Sequence, residues 1–303
     1  MPKSSMQAWG VIALDAGVRV MIMIKKQIVV SFSGGRTSAY LCSLIKKLHP
    51  DAVFVFMDTG AEHPATYDFI RQCNDYFGLN LVCLRTVVSD KWKEGVKYRI
   101  IGIDEIGHDL QPWRDMSLKY GLPYKGGEFC TDRMKTTPCK KYLEDVYGAG
   151  NYHLWLGMRI DEPKRLNKKE GFSYLADISD FEKKDVLDWW AKMPFDLKIK
   201  EHLGNCVFCI KKGINKIALA AKDEPQLADK FIKMINMDDV SIVPSRTTSN
   251  DAMYRQSMSL ESIIDLYAEM PRDKLAKTVR STFETGSCSE SCEAFAEQMD
   301  LAL

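Results

Sequence analysis

The stretch Gln27–Ile45, QIVVSFSGGRTSAYLCSLI, decides the fold. Ile28, Val29, Val30 and Phe32 make the short apolar run of a buried strand. Ala39, Tyr40, Leu41, Leu44, Ile45 and Leu48 then recur at helical spacing. Between them lies Ser33-Gly34-Gly35-Arg36-Thr37-Ser38. Glycines at such a turn reach backbone angles closed to other residues and let a ligand approach the main chain. Free N–H groups and the dipole of the helix start favour an anion. Ser33, Thr37 and Ser38 add hydroxyl donors, and Arg36 adds charge. Phosphate or sulfate is the expected ligand; a glycine turn serving only helix–strand packing is the alternative. The stretch lacks the Gly-Lys-Ser/Thr ending of a Walker A loop and the third glycine of the dinucleotide fingerprint.

Outward from this stretch the pattern repeats. DAVFVFMDTG (Asp51–Gly60) reads as a second buried strand ending in a turn. HPATYDFIRQCNDYFG reads as a helix with Pro64 in its first turn and Gly78 at its stop. LNLVCLRTVV is a third strand, TTPCKKYLEDVYG a helix and YHLWLGMRI another strand. Strands alternating with helices predict an α/β fold, a doubly wound and mostly parallel sheet. Beyond Cys209, NKIALAAKDEPQLADKFIKMI and SLESIIDLYAEMPRDKLAKTV each read as one amphipathic helix, with PSRTTSND as a loop between them. The expected organisation is a disordered N-terminal extension over 1–24, a nucleotide-binding α/β domain over 25–212 and a C-terminal helical appendage over 213–303. Met21 and Met23, just before the first convincing strand, suggest an upstream start for the extension.

Composition bounds the function classes. The 303 residues are 46% apolar and 27% charged, globular values, and the net charge is +1. Nothing global therefore argues for nucleic acid or an anionic membrane. No apolar run approaches the ~18 residues of a membrane span. Nine cysteines at irregular spacing fit a reducing compartment such as the cytoplasm. Cys42, Cys73 and Cys83 fall in apolar patterns and read as core residues. Cys206-x-x-Cys209 can present two thiolates to one metal, with a redox-silent turn as the alternative.

Three strand ends carry polar clusters, and a parallel sheet sets all three on one edge. They are Ser33–Ser38; Asp58-Thr59-Gly60 with Glu62; and Gly157 with Arg159, Asp161, Glu162 and Arg165. With CTDRMKTTP (Cys130–Pro138), VLDWW (Val186–Trp190) and NCVFC (Asn205–Cys209), this ordered set resembles the phosphoadenylyl-sulfate (PAPS) reductase family of the PP-loop superfamily, the N-type ATP pyrophosphatases. The resemblance covers about Gln27 to Gly213.

The resemblance implies an adenine nucleotide bound across the strand ends. Ser33, Gly34, Gly35, Arg36, Thr37 and Ser38 would hold the β,γ-phosphates of ATP or the sulfate of an adenylyl sulfate. Asp58, beside Thr59 and Gly60, would reach the nucleoside side or a metal. Arg133, Lys135, Arg159 and Arg165 would neutralise the anionic substrate near Gly157; pairing with Asp132, Asp161 and Glu162 is the alternative role of the arginines. Asp161 and Glu162 could hold Mg²⁺. Cys130, Cys139, Cys206 and Cys209 would ligate a [4Fe–4S] cluster, or zinc. Where many iron–sulfur members carry Cys-Cys, this chain has Cys130-Thr131, so Cys139 is the candidate fourth ligand.

Three functions remain open. One is ATP-dependent adenylation with loss of pyrophosphate in sulfur transfer from a sulfur donor, with DNA or tRNA as acceptor, contacted through Lys211, Lys212 and Lys216. A second is reduction of PAPS to sulfite with a thioredoxin-like partner. The family's Glu-Cys-Gly-like tail is not found here, and Cys288 or Cys292 would have to serve, with mobile tail thiols as the alternative, since neighbouring Glu290 and Glu293 would disfavour a thiolate. The third is a non-catalytic nucleotide- or cluster-binding module. His63, at a helix start on the ligand edge, either touches phosphate or caps the helix; the other four histidines show no ligand spacing.

Overall fold

A computed structural model describes residues 26–89, 91, 93–167, 169–241 and 252–279, and the backbone alone at 8–14, 18–24 and 280–281. Strand β3 (Gln27–Ser31) leads through the glycine turn into α1 (Arg36–Leu48), then β4 (Val53–Met57), α2 (Pro64–Phe77) and β5 (Val82–Val88). Strands β1 (Ala8–Leu14) and β2 (Val18–Ile24) precede them as an antiparallel pair, Ala8 opposite Ile24, separate from the main sheet. The sequence reading expected this extension to be disordered. After β5 come β6 (Val96–Ile101), α3 (Gln111–Tyr120), α4 (Thr137–Tyr147), β7 (Tyr152–Leu156), β8 (Phe172–Tyr174) and α5 (Lys183–Trp190).

The six-stranded sheet has the order β6-β5-β4-β3-β7-β8. All neighbours are parallel except β5 and β6. The chain winds outward from β3 to β6, then returns to lay β7 on the other side of β3, so the strand order reverses at β3. In open α/β sheets ligands sit at such a switch point, beyond the carboxyl ends of the strands. The loops after β3, β4 and β7 meet there.

Strand alternation explains the two covered faces. Val30, Phe32, Phe54 and Phe56 pack with α1, α2 and Trp190 on one side. Val29, Val55, Met57, Leu84, Leu154 and Leu156 pack with Cys139, Tyr142 and Leu143 of α4 on the other. The edge strand β6 escaped the sequence reading because Lys97, Tyr98, Arg99 and Ile100 are not buried and no apolar alternation marks them.

The C-terminal stretches each break in two. Pro225 starts a new helix, so α6 (Ile214–Asp223) and α7 (Pro225–Ile235) replace the single helix expected there. Pro271 separates α8 (Leu260–Leu266) from α9 (Arg272–Ser281) for the same reason: a proline lacks the N–H and clashes with the preceding turn. These helices share a third core with Trp113, Met134 and Leu203 to Ile210. Among the described residues no helix is long and apolar enough to cross a membrane. The expected loop Pro244–Asp251 and both Cys288 and Cys292 lie outside the described residues.

Candidate active site

The glycine loop is held from several sides. Ser33 N donates to Ser38 Oγ at 3.2 Å, and Ser38 Oγ donates to Gly35 O at 3.0 Å. Gly34 has φ +79°, and a Cβ there would stand 2.9 Å from Ile70 Cδ1. Gly157, after β7, comes so close that its Cβ would lie 3.0 Å from Ser38 Cα, which is why two strand ends can share one site. Gly35 caps α1 without a side-chain hydrogen bond. Trp190 Nε1 donates to Arg36 O at 2.9 Å and ties α5 to the loop. The Arg36 side chain is anchored elsewhere: its guanidinium forms a fork on Asp196 at 2.7 and 2.9 Å and also bonds Leu197 O.

A cleft of about 820 Å³, open mouth included, borders the loop. Ser33 to Thr37 and Thr66 line one end, with Arg159, Lys183 and Lys200 beside them. Val186, Leu187, Leu197 and Ile199 supply an apolar wall. Arg159 donates to Thr37 Oγ1 at 3.2 Å and to Asp161 Oδ1 at 2.8 Å, so it reaches the loop while held by a carboxylate.

The turn after β4 is a buried network. Asp58 Oδ1 accepts from Gly60 N at 2.9 Å and Tyr67 Oη at 3.0 Å. Asp58 Oδ2 pairs with Arg85 at 2.6 Å, and Arg85 also reaches Asp109 at 2.6 Å. Asp58 is fully buried and does not line the cleft, so its expected reach to a nucleoside or metal gives way to a structural role. Thr59 Oγ1 donates to Glu62 Oε2 at 2.6 Å, and Lys135 pairs with Glu62 Oε1 at 3.4 Å. Against the penalty of burial, Lys135 and the Thr59 and Tyr67 hydroxyls hold the Glu62 carboxyl below its usual range. Gly60, at φ +70°, lets this turn pass Asp109 and Pro112.

Other expected cations are placed differently. Arg133 pairs with Asp132 at 2.6 Å, lies 5.0 Å over the Tyr120 ring, and lines neither the cleft nor the pocket described below. Arg165 is only 5% exposed and pairs with Glu162, the alternative role the sequence offered. Both carboxylates proposed for Mg²⁺ are thus engaged by arginines, Asp161 by Arg159 and Glu162 by Arg165. His63 caps α2 by accepting from Ala65 N at 3.1 Å, and its other nitrogen faces Glu224 at 3.1 Å. Lys212 and Lys216, expected to face nucleic acid, are 4% and 8% exposed. Lys212 instead bonds His202 O and Val207 O.

The structure does not bring the four expected cysteine ligands together. Cys130, Cys206 and Cys209 line a second pocket of about 420 Å³, open mouth included, together with Trp113, Lys135 and Asn205. Cys139 lies in the core between α4 and the sheet, on the helix face that packs against Leu154 and Leu156. Burial pushes the Cys130, Cys139 and Cys206 thiols each up to about 12. Among the described residues no three His, Cys, Asp or Glu are arranged to hold a metal ion. Three of the four expected thiols thus share one pocket, and Cys139 is not among them. The thiol pocket abuts the Asp58 turn: Glu62 bridges to Cys206, and Val207 N donates to Ala61 O at 3.0 Å. Asn205 lines both the pocket and the cleft.

Several participants escaped sequence reasoning. Arg85 looks like an ordinary strand residue, and Tyr67 like a helix core residue. Lys183 and Lys200 lie on elements whose approach to the loop is set by tertiary packing. The expected aspartate-tryptophan segment gave one usable signal, because Trp190 carries an N–H that burial obliges to find an acceptor.

Residues 27–193 match the phosphoadenosine phosphosulfate reductase domain family. The chain is 47% identical over 280 residues to the uncharacterized nin region protein ORF290 of Escherichia phage lambda, covering 90% of this chain and 96% of that one. It is 41% identical over 179 residues to the phosphoadenosine 5'-phosphosulfate reductase of Buchnera aphidicola subsp. Acyrthosiphon pisum (strain Tuc7), covering 55% of this chain and 62% of that enzyme. A solved structure of PAPS reductase from Candida auris, a phosphate complex, superposes with a TM-score of 0.37 at 14% identity, over 55% of this chain and 72% of that one.

Proposed function

Because the chain belongs to the phosphoadenosine phosphosulfate reductase family, we propose that its cleft binds an adenine nucleotide and that the protein is an enzyme of sulfur metabolism. One observation carries this reading. A helix start with two glycines and no side-chain cap bond borders a cleft also lined by Arg159, Lys183 and Lys200 and by apolar residues. Backbone donors and three cations suit a chain of phosphates, and the wall of Val186, Leu187, Leu197 and Ile199 suits a base.

The reaction we assign is adenylation. An acceptor oxygen attacks the α-phosphorus of ATP, a new P–O bond forms, and the bond to the β-phosphate oxygen breaks. Pyrophosphate leaves with the electron pair and rests on the Ser33–Ser38 loop. Arg159, Lys183 and Lys200 offset the charge that develops on it. Sulfide-level sulfur of the donor then attacks the activated centre of the acceptor; the new bond to sulfur forms, the bond to the adenylated oxygen breaks, and AMP leaves with that oxygen and the electron pair. The second reading is reduction of PAPS, favoured by the name of the Buchnera relative. The loop would then hold the sulfate, and sulfite would be the product, with a thioredoxin-like reductant.

Anaerobic calorimetric titration with ATP and, separately, PAPS tests this. ATP is expected to bind more tightly than PAPS, and Gly34→Ala is expected to weaken it at least tenfold by forcing a Cβ against Ile70 at positive φ. Tighter PAPS binding would replace adenylation by reduction. Binding of neither nucleotide would remove both readings.

A further inference from the structure

The C-terminal helices reach the cleft through one corner, the α6–α7 junction at Asp223 and Glu224. Lys200 lines the cleft, and its Nζ donates to Asp223 Oδ2 at 3.1 Å. The two groups differ in freedom. The Lys200 side chain is 61% exposed, whereas that of Asp223 is 10% exposed and takes a fork from Arg272 at 2.7 and 2.9 Å. His202 Nε2 lies 3.0 Å from the same Asp223 oxygen that Lys200 meets. The next residue, Glu224, faces Nε2 of His63 at 3.1 Å. His63 caps α2, and Thr66 in the first turn of that helix lines the cleft. One corner therefore touches both the segment that carries Lys200 and the helix that carries Thr66.

We propose that Asp223 is a positioning residue for the nucleotide site: it holds the Lys200 ammonium at the cleft, so that the C-terminal helices help to set the affinity for the phosphate chain. The inference rests on the nucleotide reading of the cleft and adds to it a residue outside the stretch 27–193 that matches the family. A lysine on an open surface gives up side-chain freedom when it meets a phosphate, and that loss subtracts from binding. A lysine tethered to a fixed carboxylate has given up part of it beforehand. The tether does not use up the amine, because an ammonium has three donors and a phosphate oxygen can share it with Asp223. Nor does it cancel the charge, because Arg272 offsets the carboxylate from the other side. An ion pair so exposed at its lysine end adds little to stability. Arg159 and Lys183 are held in the same manner, by Asp161 at 2.8 Å and Glu201 at 2.9 Å. The Glu201 side chain is 47% exposed, so of the two lysine partners Asp223 is the fixed one.

The test is calorimetric titration of the full chain with ATP, for the parent, Asp223→Asn, Lys200→Met and the double variant, with a thermal melt of each. Asp223→Asn is expected to weaken ATP at least fivefold. In the Lys200→Met background the same substitution is expected to change it less than twofold. Equal weakening in both backgrounds would reduce Asp223 to a structural role and overturn the proposal. Asp223→Glu keeps a charge for Arg272, and so the fold, but moves the carboxylate by one methylene. It is expected to weaken ATP at least twofold, again only while Lys200 is present. Ile263→Val loosens the same helices from their buried side without touching the pair. It should lower the melting temperature and bind ATP within twofold of the parent; a loss as large as that of Asp223→Asn would trace the effect to stability and sink the idea. A parent that does not bind ATP would overturn the nucleotide reading and this role together. A parent that binds ATP, with Asp223→Asn binding it as well or more tightly, would overturn the positioning role alone.

Discussion

At the scale of single residues, two aspartates share one arginine and should behave very differently. Asp58 is fully buried on Arg85, while the Asp109 side chain is 46% exposed. Removing one partner of a buried pair leaves an uncompensated charge and costs about 3–5 kcal/mol; an exposed pair contributes roughly 0–1 kcal/mol. Urea unfolding should therefore show Asp58→Asn strongly destabilised and Asp109→Asn close to the parent. Equal effects would mean that Arg85 is not desolvated as the structure has it. The aspartate was visible in the sequence as a strand-end residue. Its buried role was not, because Arg85 and Tyr67 reach it from other elements. The loop residues Ser33 to Ser38 were legible because their chemistry is local: two glycines, three hydroxyls and a helix start in six positions.

Between elements, Asp223 at the end of α6 joins pieces distant in sequence. Arg272 of α9 donates to it at 2.7 and 2.9 Å, Lys200 at 3.1 Å, and His202 approaches at 3.0 Å. The Arg272 hydrogen bonds, opposing partial burial, hold its carboxyl well below the usual carboxylate range. A carboxylate depressed in the folded state stabilises fully above its unfolded pKa of about 3.9. That stability fades as pH falls below this value through the folded pKa. Asp223→Asn should thus lose about 2 kcal/mol at neutral pH, the scale of hydrogen bonds to a charged group. The deficit relative to the parent should shrink progressively below about pH 4, read by denaturant titration at several pH values; a deficit independent of pH would refute the ionic origin. The helices themselves were legible from their periodicity, yet Pro225 and Pro271 were overridden by the continuity of the apolar pattern. Strand β6 stayed hidden because an exposed edge needs no apolar face.

For the whole molecule, ligand linkage gives the plainest expectation. ATP at a hundredfold excess over its dissociation constant should add about 2.7 kcal/mol to the folded state. For a chain of this size that raises Tm by roughly 4 °C; a scanning melt that shows no shift would deny a nucleotide site of the proposed kind. The global architecture was legible because alternation of strand and helix leaves few topologies. The four-cysteine site was not, because spacing along the chain is silent on helix phase: Cys139 follows Cys130 closely, yet α4 turns it toward the sheet. The strand order has one more consequence, and it concerns biosynthesis. Gln27 of β3 pairs with Tyr152 of β7, and Ser38 is closed in by Gly157. A chain leaving the ribosome displays its glycine loop early, but the neighbour that completes it is made only about halfway through synthesis. Until then the central strand has a bare edge, a template for mispairing. Nascent chains halted before Tyr152 should need chaperone protection, and the site should appear only once translation has passed Gly157.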